Sequence, residues 1–183
     1  MSCLTDKLGS DINGCQTPLI GYKQTAWIGT KADNDTVTIG GTTGYEVTAL
    51  SNGSNHAYTI TTRSKNPFNT TKIEMVEKDY GSSFKNTVEF MMPGSTPAIA
   101  KQAQELVGQA VYVILEQLQG NDTDKNYFPV FGLQSLLRVT KAECTLDKGG
   151  WVITLEEDNC DKPALYLFNT NYATTQAIIT ALA

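Results

Sequence analysis

Alternation of apolar and polar residues constrains this chain most. From Tyr22 the pattern has period two, carried by β-branched and aromatic residues. It recurs in Thr25–Gly29 around Trp27, in Thr36–Ile39, in Tyr45–Leu50, in His56–Thr62 and in Lys72–Glu77. The strongest case is Phe84–Met92, where Phe84, Val88, Phe90 and Met92 share one face and Lys85, Thr87 and Glu89 the other. Such alternation marks strands with one face buried. Gly40-Gly41 and Ser51-Asn52-Gly53-Ser54 punctuate it as turns. Asn66-Pro67 forces an extended or turning loop, and the apolar Phe68 inside that loop is expected to pack on something.

The period changes after Ser95-Thr96-Pro97, a hydroxyl cap followed by proline in the first helical turn. Ile99, Ala103, Leu106, Ala110, Val113, Ile114 and Leu118 recur at threes and fours, which predicts one long amphipathic helix over about 97–119, ended by Gly120-Asn121. Gly108 is unfavourable within it. Beyond Tyr127–Leu133, an apolar stretch with Pro129, the segments Leu136–Leu146 and Trp151–Glu157 flank Asp147-Lys148-Gly149-Gly150 and read as a hairpin. Ala164–Phe168 reads as a central strand, apolar on both faces, and Thr174–Leu182 as a short terminal helix. The expected fold is α+β: two packed antiparallel β-sheets crossed by the long helix. Residues 1–20, with three turn signals in quick succession, are expected to form an arm, and 21–183 a single β-rich domain.

Charge narrows the function. Of 183 residues, charged ones make up 18%, the net charge is −5, and only Arg63 and Arg138 are arginine. Phosphate gripping depends on Lys and Arg, so nucleic-acid capture is disfavoured. The start lacks the apolar region of a secretory signal and no run reaches membrane-span length, so the expectation is synthesis in the cytoplasm with no membrane partner. Cys3, Cys15, Cys144 and Cys160 form no CxxC pair and are expected to be free thiols, with no metal and no other cofactor.

Catalytic chemistry is thin. The single histidine, His56, sits beside a turn, and acid, base or nucleophilic catalysis needs a poised group with an orienting partner. Glu156-Glu157-Asp158 with Asp161 reads as a solvated acidic loop, because neighbours on a strand alternate faces. Asp33-Asn34-Asp35 and Asn121-Asp122-Thr123-Asp124 lack the spacing of a calcium loop, and Gly40–Gly44 precedes a strand rather than the helix a phosphate loop needs. Tyr127, Phe128, Phe131, Trp27 and Trp151 read as core before they read as a binding platform. No enzyme is expected.

The order of strands, helix, hairpin and closing strands, carried by Phe84–Met92, Ser95-Thr96-Pro97, Gly149-Gly150-Trp151 and Pro163–Phe168, resembles the tail-tube fold of bacteriophages, which also covers tail ring and terminator proteins. The Cys-containing start, Met1–Cys15, is similar in style to structural proteins of crAss-like and other Bacteroidetes phages. The resemblance implies a virion tail subunit: a homo-oligomeric ring, hexamer or dodecamer, joined by sheet edges around a lumen. DNA would pass through without sequence-specific binding, helped by the acidic balance. Neighbouring tail or head-tail connector proteins would be its other partners. Candidate interface residues are Leu4 and Ile12 in the arm, and Arg63, Lys65 and Phe68 in the loop. The alternative from another class is a carbohydrate-binding or adhesin-type β-sandwich module; a hydrolase is the third.

Overall fold

The computed structural model describes residues 21–31, 36–41, 43–51, 53, 57–62, 67–68, 70–79, 81–118, 125, 127–145, 147 and 149–183. The expected arm, with Leu4, Ile12, Cys3 and Cys15, lies outside them, as do His56, Arg63, Lys65 and the two polar loops at 33–35 and 121–124.

Along the chain run β1 (Tyr22–Thr30), β2 (Thr36–Gly40), β3 (Glu46–Ser51), β4 (Tyr58–Thr61), β5 (Lys72–Lys78) and β6 (Gly81–Pro93). Then come α1 (Pro97–Leu106), β7 (Ala110–Gln117), β8 (Phe128–Phe131), β9 (Leu137–Thr145), β10 (Gly150–Cys160), β11 (Leu165–Leu167) and α2 (Tyr172–Leu182). The fold is α+β and mostly strand. Instead of two separate antiparallel sheets, the described strands form one hydrogen-bonded network, mixed because β11 runs parallel to β3 while the other pairs are antiparallel.

The long helix is corrected. α1 starts as expected, with Ile99 N–H donating to Thr96 Oγ1 (3.4 Å) and Pro97 in the first turn, but it ends at Leu106. Gly108 then takes φ +94°, a left-handed conformation that stops a helix. Ala110–Gln117 is a strand. Its side chains from Val111 are all buried, Val111, Val113 and Leu115 in one core and Tyr112 and Ile114 in another. Apolar residues on both faces of a strand give an unbroken run, which also satisfies helical spacing. The β-branched residues at 111, 113 and 114 favour the strand.

β7 is the centre of the molecule. One flank pairs with β1 along most of its length. The other flank is divided: Ala110 and Val111 pair with β9, while Val113 and Ile114 pair with β8. The sheet therefore forks. One wing runs β8-β11-β3-β2 and the other β9-β10-β6-β5, with β4 added outside β1. The first core collects side chains from β4, β1, β7, β8, β9, β10, β6 and β11, with Ala103 and Leu106 of α1. The second lies under β3, β8 and β11 and is covered by Ile179 and Leu182 of α2.

α2 begins two residues before the expected Thr174, because Asn171 caps it: Thr174 N–H donates to Asn171 Oδ1 (2.9 Å) and Asn171 N–H to Thr174 Oγ1 (3.2 Å). Its first residue, Tyr172, donates its hydroxyl to the buried Glu116 carboxylate on β7 (2.6 Å), which also pairs with Lys23 of β1. Tyr172 titrates above its ordinary value, first because of burial and then because of Glu116. Burial alone would lower Lys23, but Glu116 outweighs it and the net shift is upward. Raised values mean that the stability Tyr172 and Lys23 contribute through this bracket is present at neutral pH and is lost as pH rises beyond 10.0. Tyr172→Phe is expected to cost about 1–2 kcal/mol in urea denaturation at neutral pH, since Glu116 then loses a donor while keeping Lys23.

Candidate assembly interface

β5 is the site that the fold leaves to be explained. Lys-Ile-Glu-Met-Val-Glu-Lys has strand-forming residues at Ile73 and Val76, and it forms a hairpin with β6 from Lys72↔Thr87 to Lys78↔Gly81. Yet every residue of β5 is exposed. A strand inside a domain normally buries one face; here Ile73, Met75 (61% exposed) and Val76 remain in water on both faces. The strand ends one wing, so the backbone of its outer flank has no strand partner among the described residues. Unpaired flanks template pairing with another chain. β2 ends the other wing and exposes Ile39; β4 flanks β1 and exposes Tyr58 (71%).

The outward face of β9-β10-β6-β5 is charged but internally compensated. Lys85 pairs with Glu156 (3.0 Å) and Asp158 (3.8 Å), Lys72 with Glu74 (3.0 Å) and Lys141 with Glu143 (2.9 Å). Glu89 accepts from Thr70 (3.2 Å) and Thr154 (3.3 Å). Such surface pairs are worth little each, but they set opposite signs side by side over the face.

Of the expected interface residues, Phe68 alone is described. Its ring lies in the first core, 3% exposed, with φ +55°, so it holds the β4–β5 connection against this chain's own sheet. The expected aromatic platform is likewise internal: Phe128 and Phe131 are buried, and Trp27, Tyr127 and Trp151 pack against the two cores.

The expected solvated acidic loop is corrected at Glu157. That side chain is 1% exposed, and its oxygens accept from Gly132 N–H (2.9 Å), Gln134 N–H (3.1 Å), Ser135 N–H (2.8 Å) and Asn86 Nδ2 (3.1 Å). The strand alternation turns Glu157 inward between Glu156 and Asp158. Alternation from the inward Ile153 and Leu155 was the available signal; the Gly132–Ser135 turn that needs the carboxylate lies far away in sequence.

Among the described residues no group of three or more His, Cys, Asp and Glu could hold a metal ion, and no helix is long and apolar enough to cross a membrane. Of the described cysteines, Cys144 is exposed and Cys160 buried, both free. Burial, then the Glu157 carboxylate, pushes the Cys160 thiol from 9.0 up to about 12. The native state keeps that proton where the unfolded chain loses it, so this group's contribution to stability falls as pH climbs from about 9 to about 12. In a Cys3→Ser/Cys15→Ser background at pH 8, a maleimide is expected to modify one thiol, Cys144, in native protein and two in urea. Mass spectrometry reads the count.

Compared with family models, curated proteins and solved structures, the chain matches none.

Proposed function

We propose that the chain is a structural subunit of a phage tail, self-associating through sheet edges into a ring or tube around the DNA passage. The observation that carries this reading is β5: a seven-residue strand, exposed on both faces, ending a sheet wing with three large apolar side chains in water. A lone domain gains nothing from that arrangement, whereas an assembling one uses it as a contact surface. Eight strands directing side chains into the first core favour the curved, barrel-like wall that such a ring needs. The balanced charges on the outward face suit a surface that polyanionic DNA slides past, because paired cations offer phosphates little to displace. On this reading the protein resides in the virion tail, and its other partners are adjoining tail or head-tail connector proteins.

Light scattering after size exclusion, with negative-stain imaging, tests it. The wild-type chain is expected to form rings. Ile73→Asp/Met75→Asp is expected to stay monomeric while its urea midpoint changes by the equivalent of about 0.5 kcal/mol or less, since both residues are exposed. A wild-type monomer that binds a glycan array would replace this reading with the sugar-binding one.

A further inference from the structure

The strand path from β2 to β5 has two unlike ends, each with a flank that no strand occupies among the described residues. We infer that, within the assembly proposed above and resting on that reading, the free flank of β5 pairs with the free flank of β2 on the next copy, a head-to-tail contact.

Charge selects this pairing over a two-fold contact of β5 with itself. β5 carries Lys72, Glu74, Glu77 and Lys78, all exposed. An antiparallel self-pair centred on Met75 sets Lys72 against Lys78 and Ile73 against Glu77. Centring on Glu74 sets that carboxylate against its own copy. Centring on Val76 sets Met75 against Glu77 and shortens the ladder. Like charges and apolar-to-charge oppositions across a ladder are destabilising. β2, Thr-Val-Thr-Ile-Gly, has no charge and accepts β5 without a like-charge clash in any register. Its exposed Ile39 offers apolar surface to Ile73, Met75 and Val76.

β4 is the poorer recipient. It is four residues long, and the end of α2 abuts its start, Ala57 N–H donating to the Leu182 carbonyl (2.6 Å). A contact between unlike ends uses both in every copy and closes into a ring when the rotation per copy divides a full turn; two-fold contacts at either end do not.

Cross-linking decides the pairing. In a Cys3→Ser/Cys15→Ser/Cys144→Ser background, with the buried Cys160 retained, Thr38→Cys and Glu74→Cys are introduced singly and together. The assembled proteins are treated with a short bis-maleimide and run on a denaturing gel. The double variant is expected to give a ladder of covalent multimers. Mixed single variants are expected to stop at dimers, and each single variant alone to stay monomeric on the gel. Dimers from Glu74→Cys alone, or rings seen by negative stain without a ladder, overturn the β5–β2 pairing and leave the ring reading standing. A monomer in light scattering overturns both.

Discussion

Glu157→Leu lowers the unfolding free energy by about 3–5 kcal/mol, read as a shift of the urea midpoint at unchanged slope. Leucine fills most of the space but accepts nothing. The N–H groups of Gly132, Gln134 and Ser135 and the Asn86 amide then lose their acceptor, and at the buried Gly132 and Asn86 water does not replace it. Bonds to a carboxylate are among the stronger ones, and the larger penalty is the stranded donors. Glu157→Gln is expected to fall between, since one oxygen still accepts while the amide nitrogen faces donors.

Gly132→Ala is the second large effect, about 2–5 kcal/mol, combining left-handed backbone strain with crowding. Gly132 has φ +89°, and a Cβ there would sit 2.4 Å from the Val111 carbonyl oxygen and 2.9 Å from Tyr112 Cα. Both contacts are backbone of β7, which is fixed by partners on both flanks and cannot move aside. The turn exists because β8 and β9 follow one another in the same direction along one flank of β7, and residues 132–136 between them step out of the ladder while passing close to that strand. Gly132 supplies the room and Glu157 ties the turn down. Because both changes loosen the same turn, Gly132→Ala/Glu157→Leu should lose less than the sum of the single losses, and a denaturation cycle measures the coupling.

Local signals were legible where one face meets water or a cap is chemical. Strands such as β6 and the β9–β10 hairpin, the start of α1 and the terminal helix all follow from alternation, turn residues and hydroxyl or amide caps. Legibility ended where tertiary burial covers both faces. β7 reads as helix because Val111–Leu115 is apolar without interruption, and only Gly108, a costly residue for that helix, marked the break. Glu157 was hidden for a related reason: alternation with Ile153 and Leu155 points it inward, but the donors that make burial of a carboxylate tolerable come from a distant turn. Phe68 was expected to pack, and it does, but inside its own chain. The candidate contact surface was the reverse case. β5 looks like any half-buried strand in sequence, and its exposure on both faces emerges only from its place at the end of a wing.

The pairing of β3 with β11 has a consequence for biogenesis. Glu46 and Val47 meet Tyr166 and Leu167, so one wing is completed only by a strand made long after its β2–β3 hairpin. Such distant closures are slow, because the loop entropy is paid before any contact rewards it. Until β11 has been made and docks, the β2–β3 hairpin lacks its cover and leaves a strand flank open to other unfinished chains.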